Sequence, residues 1–268
     1  MVQYPHIDPV IVDVGPLSVR WYGFMYLLGF LASYLLVRLQ IRHACKGNME
    51  MLQREYLFLD GLLAWLIIGL ILGGRLGYVL FYNLPYFIQN PQEIVATWHG
   101  GMSFHGGAIG ALLAGWIYVR RRREDFFKWA DRIVVTVPIG LGLGRIGNFI
   151  NGELYGRPAD PEIVPWAMIF PGGGLVPRHP SQLYEAFVEG VVLFSILWPL
   201  RNRPWPAGYK TALFFMLYGL FRFFVEFFRE PDPQVGYIAF GWLTMGQLLS
   251  IALMLAAALL WLWRRARS

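Results

Sequence analysis

Cysteine and charge are what this sequence has least of. A single cysteine, Cys45, in 268 residues excludes an internal disulfide and any multi-cysteine metal site. Charged residues make up 15% of the chain, against about 25% in soluble domains, which argues against a string of water-soluble domains. HExxH, GxSxG and Walker A patterns are absent and no cluster has metal-ligand spacing, so neither a metal nor a cofactor is expected. GLGLGR (140–145) is spelled like a dinucleotide fingerprint, but it follows no strand of a βαβ unit and carries no weight. Lys and Arg are missing altogether from residues 1–18 and 83–101. The first of these stretches lacks the positive n-region of a signal peptide. It is expected to be a translocated outer arm, partly extended at VIVDV.

What the chain has instead is apolar length. Hydrophobic residues account for 56%, mean hydropathy is +0.45, and several runs approach the ~18–20 residues that cross a bilayer as a helix. The expected fold is an all-α polytopic membrane protein, one integral-membrane domain over 1–268. About seven spans are expected, near 19–39, 57–82, 102–119, 130–149, 183–200, 211–228 and 240–263. Gly69, Gly73 and Gly77 recur every four residues in the second span, and Gly106 and Gly110 do so in the third, a spacing that lets helices approach closely. Residues 83–101, with Tyr86, Phe87 and Trp98, suit an interfacial segment. Residues 150–182, rich in Pro and Gly, read as a small irregular outer head.

Net charge is +6, and its distribution fixes an orientation. Loops at 38–54, 120–132, 201–210 and 264–268 hold 16 of the 23 Lys and Arg. By the positive-inside rule these loops face the cytoplasm, the N-terminus lies outside and the C-terminus inside. Basic residues confined to short inter-helix loops also argue against a nucleic-acid partner. Cys45 falls in the first cytoplasmic loop, beside Lys46.

Three arginines, Arg75, Arg145 and Arg222, fall within expected spans. An arginine at a bilayer centre costs roughly 2.5–17 kcal/mol, depending on the method, so it normally faces a protein interior. Arg145 and Asn148, three apart, share a helix face; they read either as a snorkelling helix end or as half of a site. Arg222, Glu226 and Arg229 form one stripe, either an internal ion pair with an interfacial arginine or the other half. Two arginines to one glutamate, with Arg145 added and Glu153 a partial offset, leave surplus guanidinium charge suited to phosphate. His105 reads as a hydrogen-bonded structural histidine or a proton acceptor. Tyr22 and Tyr26 read as belt aromatics or headgroup contacts, and Arg75 as glue between helices. HPSQLYE (179–185) reads as a structural helix start with Ser181 as N-cap.

Taken together, GRIGNFINGELYGR (144–157), GGMSFHGG (100–107), WYGFMY (21–26), LGGRLGYVLFYN (72–83), RHPSQLYE (178–185) and FRFFVEFFREPD (221–232) resemble the bacterial phosphatidylglycerol–prolipoprotein diacylglyceryl transferases, in order along the whole chain. The first block matches the family's specific signature. The resemblance implies transfer of the diacylglyceryl group of phosphatidylglycerol to the lipobox cysteine thiol of a prolipoprotein signal peptide, with glycerol 1-phosphate leaving. It implies a multi-pass protein of the bacterial inner membrane with its active site toward the outer leaflet. It further implies that Arg145 binds the phosphatidylglycerol headgroup, that Asn148, Asn151, Glu153 and Gly156 belong to the same site, and that Tyr22 contacts the lipid. Arg222 would stabilise the leaving phosphate with Glu226 orienting it. His105 is the candidate base, with Glu153 or water as alternatives.

Two other classes compete on the residues alone. A transporter could use an arginine-lined pocket, but no internal repeat is visible and the polar cluster lies toward one face rather than the midplane. An intramembrane hydrolase would need Ser103 and His105 to meet, and residues two apart on a helix point to different sides.

Overall fold

The computed structural model describes residues 2–15, 17–96, 100–231 and 236–267, so the expected interfacial role of Trp98 lies outside the described residues. Helix dominates, with two short hairpins beside it. Strands β1 (Val10–Val14) and β2 (Leu17–Arg20) pair antiparallel, so VIVDV is extended as expected. They lead into α1 (Trp21–Cys45) and α2 (Met49–Phe81), then α3 (Leu84–Gln89), a 3-10 turn (Pro91–Val95) and α4 (Phe104–Arg121). Next come α5 (Phe126–Val134), α6 (Val137–Ile150), α7 (Ser181–Glu185), a π-helical stretch (Ala186–Val192) and α8 (Leu193–Leu200). The chain ends with α9 (Tyr209–Val225), the hairpin β3 (Tyr237–Ala239) and β4 (Leu243–Thr244), and α10 (Met245–Arg265).

Among the described residues, four helical runs are long and apolar enough to cross a membrane: Trp21–Cys45, Met49–Phe81, Ser181–Leu200 and Met245–Arg265. The pair α5 and α6, bent by 46°, makes a fifth if it is one broken span. Pro138 sits in the first turn of α6, where it has no N–H to donate and restricts the residue before it, which accounts for the restart. The third and sixth expected spans are helical as α4 and α9. Neither belongs to the long apolar set, and α9 has only 17 residues. The protein is thus a mostly helical polytopic membrane protein. Cys45 is not in a loop, as the sequence suggests, but is the buried last residue of α1.

The chain divides into two compact units, Met1–Gln40 with Trp129–Ser268, and Ile41–Lys128. In the smaller unit α2 lies against α4 along the two glycine series. A Cβ on Gly73 would stand 2.7 Å from the Gly110 Cα, and one on Gly77 would stand 2.8 Å from the Gly106 Cα. Only hydrogen fits there, which is what the four-residue spacing calls for. Arg75 joins α2 to the short helices that follow it: its guanidinium lies over the Phe87 ring of α3 and bonds the 3-10 turn. It is buried, and its guanidinium donates to the carbonyls of Ile94 (2.7 Å), Gly100 (2.6 Å), Gly101 (3.0 Å), Ala96 (3.1 Å) and Glu93. It ties α2 to the connection that leads into α4.

In the larger unit, α1 crosses α6 where a Cβ on Gly29 would lie 2.9 Å from the Gly140 Cα. On another face of α6, Gly142 meets Gly190 of the π stretch with equally little room. Val134, Val135, Leu193, Leu197 and Phe214 form one apolar core of this unit. Tyr4, Phe149, Met168 and Phe170 form a second, under the head. The Tyr4 hydroxyl lies 2.7 Å from the Phe149 carbonyl and 3.0 Å from that of Ile150, so the N-terminal arm caps the end of α6.

Candidate active site

α6 is apolar and glycine-rich until its last two turns, which carry Arg145, Asn148 and, at the C-cap, Asn151. Gly152 then adopts φ +67°, the left-handed conformation that commonly ends a helix. Leu154 is also left-handed, at φ +55°, a strained choice for a residue with a Cβ. Its turn is pinned from α7: Gln182 donates to the Glu153 carbonyl at 2.7 Å, and the Ser181 hydroxyl donates to the Leu154 carbonyl at 3.2 Å. Ser181 is therefore not the N-cap of α7. Pro180 holds that position, and the hydroxyl is turned to the head instead.

The end of the signature stretch runs beside the residues that follow α9. Gly156 pairs with Arg229 as a β-bridge, Arg157 N–H donates to the Phe228 carbonyl at 2.9 Å, and Arg157 Nε donates to the Arg229 carbonyl at 2.8 Å. A Cβ on Gly156 would run into the carbonyls of Phe228 and His179, so this glycine has a packing reason of its own. The bridge brings the α6 and α9 polar groups to one place.

There Arg145, Arg222 and Arg229 gather around Glu185. Glu185 Oε2 lies 2.7 Å from Arg145 Nε, 2.6 Å from Arg222 Nη1 and 4.0 Å from Arg229 Nη1. Arg222 Nη2 also pairs with Glu226 Oε2 at 2.7 Å, and the other Glu226 oxygen accepts from the Thr244 hydroxyl at 3.0 Å. Thr244 caps α10, and its neighbour Gly246 leaves room for the carboxylate: a Cβ there would be 2.6 Å from Glu226 Oε1. One turn beyond Glu185 is Glu189, 3.8 Å from Arg222 Nη1. Both of these glutamates are fully buried, and among the described residues Glu189 makes no hydrogen bond through either oxygen.

The expectation of surplus positive charge is overturned here. Three arginines face three carboxylates, because Glu185 and Glu189 enter from a segment that reads as structural. The signal was present, as two glutamates four residues apart in an otherwise apolar run, but only folding shows that they point at Arg145 and Arg222. Glu153 is not an arginine partner either. Its Oε1 accepts from the amides of Asn148 (2.9 Å) and Asn151 (3.1 Å), while the carboxylate itself stands exposed.

Arg145 is half-buried and only partly engaged. Its Nε meets Glu185, Nη1 reaches Asn148 Oδ1 only at 3.5 Å, and among the described residues no hydrogen bond takes Nη2. Tyr22 and Tyr26 face the same helix: their hydroxyls lie 3.1 Å apart, and a Cβ on Gly147 would be 3.1 Å from the Tyr22 ring. His105 belongs to the other unit, where it is exposed in the first turn of α4. Outside the membrane helices, burial lowers the His179 pKa from its ordinary value, and its ring contacts the Tyr184 hydroxyl.

Fold and site together define a helical membrane protein with a guanidinium–carboxylate cluster sunk among its helices and a polar loop leading out of it. A family model for prolipoprotein diacylglyceryl transferase matches residues 9–263, and the chain belongs to that family. It is 55% identical to the phosphatidylglycerol–prolipoprotein diacylglyceryl transferase of Desulfotalea psychrophila, over 97% of this chain and 94% of that one. The proteins of the same name from Nitratidesulfovibrio vulgaris (strain DSM 19637 / Miyazaki F) and Pseudomonas paraeruginosa are 53% and 52% identical. They cover 94% and 99% of this chain, and 92% and 97% of their own lengths are matched.

Proposed function

We propose that this protein transfers the diacylglyceryl group of phosphatidylglycerol to the lipobox cysteine of prolipoproteins, the first step of lipoprotein maturation, with release of glycerol 1-phosphate. The observation that carries the site reading is the partly engaged Arg145 beside Arg222, both half-buried on the buried Glu185 carboxylate, in a chain of this family. The reaction is a displacement at a saturated glyceryl carbon. The new C–S bond forms as the C–O bond breaks, and the phosphate monoester leaves with the electron pair. Guanidinium N–H groups held in place before the reaction stabilise the charge that grows on that oxygen. Arg145 offers a planar pair of Nη groups for this, a geometry that matches phosphate oxygens.

The second requirement is a thiolate, since a free cysteine has a pKa near ~8.5. His105 remains the candidate base on its chemistry, with Glu153 or water as alternatives. Asn148 and Asn151 hold Glu153, and with Gly156 and Tyr22 they complete the proposed lipid-headgroup site. We place this site toward the outer leaflet of a bacterial inner membrane in a seven-helix protein, N-terminus out and C-terminus in. The clustering of Lys and Arg in alternate loops supports that orientation.

Purified protein given phosphatidylglycerol and a lipobox peptide should yield a thioether adduct and free glycerol 1-phosphate, and a peptide with serine in place of cysteine should yield neither. Absence of the adduct with folded protein sinks the proposal. A reporter fused after Ser268 should be cytoplasmic and one inserted at Gly173 should be outside; reversed labelling at both overturns the orientation.

A further inference from the structure

Glu185 is buried where two arginines from different helices converge, and it meets each of them differently. Arg145 comes from α6, and Glu185 meets it at Nε, with neither Nη group within ion-pair distance of a carboxylate among the described residues. Arg222 comes from α9, and Glu185 takes one tip of it while Glu226 takes the other. Both contacts fall on a single oxygen, Oε2, so the two donors stay within two hydrogen-bond lengths of each other. Two guanidinium groups this close repel, and a shared anion offsets that repulsion most strongly away from water. Glu189, one turn on and equally buried, comes within 4 Å of Arg222 alone among the described arginines, at 3.8 Å, and hydrogen-bonds neither member of the pair. Burial of acid in this region is therefore not what joins the arginines; the position of Glu185 is.

We infer that Glu185 is a positioning residue for the transferase reaction: it sets the spacing of Arg145 and Arg222 so that their remaining N–H groups converge on one phosphate group. The inference rests on the reading of these arginines as the phosphate-binding pair. Removing Glu185 leaves both side chains present and charged but no longer in register. Substrate still encounters positive charge, whereas the transition state loses aligned donors. The loss should therefore appear in kcat more than in KM.

The test uses the full-length protein in detergent, with phosphatidylglycerol in mixed micelles, a lipobox peptide, and thermal melting to verify folding. Glu185→Gln should lower kcat about 10- to 100-fold, the range typical when a group that only orients a working residue is removed, with KM for the lipid changed far less. Glu185→Asp, which keeps the charge but retracts it by one methylene, should recover part of that loss. On an Arg145→Lys background the further effect of Glu185→Gln should shrink, because the register is already broken. Wild-type turnover in folded Glu185→Gln, or an equal loss on both backgrounds, overturns the inference. Should the glutamine variant not fold, wild-type turnover in Glu185→Asp overturns it equally. If Arg145→Lys and Arg222→Lys both turn over normally, it is the phosphate reading that fails. If they are impaired while Glu185→Gln is not, only the role of Glu185 fails.

Discussion

Arg75 and Arg145 look alike in the sequence. One sits in LGGRLGY and the other in GLGRIGN, each among glycines in an apolar helix. In the structure they are opposites. Arg75 gives its donors to five backbone carbonyls of the 93–101 connection, so the segment and the guanidinium satisfy each other. Arg145 meets one carboxylate by its Nε and keeps most of its fork uncommitted. A buried arginine whose N–H groups are all taken by main chain holds a loop in place. One held at a single edge by an acid is oriented and still able to bind. Charge is the same in both; what differs is how many donors remain, and Arg145, half-buried where Arg75 is buried, also stays within reach of a ligand.

Substituting the arginines separates the two cases most sharply. Arg145→Ala and Arg222→Ala should each lower turnover by about 10²–10³-fold, the usual result of removing a preorganised donor to developing charge, while the protein stays folded. Lysine should restore only part, since it keeps the charge and loses the planar fork. Assays of purified variants at saturating phosphatidylglycerol check this, and wild-type turnover in both alanine variants would merge the two classes of arginine into one.

Arg75→Ala should do the reverse. It leaves several carbonyls without a donor, each costing about 1–3 kcal/mol where buried, so folded yield and thermal stability should fall steeply. The fraction that does fold should turn over near the wild-type rate. A stable but inactive Arg75→Ala protein would break the contrast from the other side.

Glu226→Gln comes next. Its carboxylate joins Arg222 to the Thr244 cap of α10, and an amide can still accept one of those hydrogen bonds. Turnover should fall by less than in Arg222→Ala, which a direct comparison of kcat values checks. Smaller again is Tyr4→Phe, which deletes the hydroxyl that caps the end of α6 but keeps the ring in its apolar cluster. A loss of about 1 kcal/mol in thermal stability is expected, the usual net worth of one hydrogen bond. Cys45→Ser, at the far end of α1, should leave turnover within about twofold of wild type, as befits a residue outside the chemistry. Loss of turnover in folded Cys45→Ser would mean that the enzyme supplies its own nucleophile.

The class of fold was legible in the sequence, and so was the unusual polar stretch at the end of α6. Membrane helices declare themselves through apolar length, because every residue facing lipid must be apolar. Close helix contacts declare themselves through glycine spacing, because a missing Cβ at four-residue intervals has few other uses. The polar end of α6 was conspicuous for the same reason: Arg145 is costly there unless it meets a partner. The tertiary structure decided what those polar groups meet. Glu185 is 40 residues from Arg145 and 37 from Arg222, a separation over which no local pattern operates. Its segment read as an ordinary helix start, and the arginines read as unbalanced. The bridge between Gly156 and Arg229, the glycine contact of Gly142 with Gly190 and the apolar core around Leu193 and Phe214 bring the three helices together. Long-range packing thus converted an apparent excess of positive charge into a balanced cluster with one fork left open, because ion-pair partners are chosen by distance in space and not along the chain.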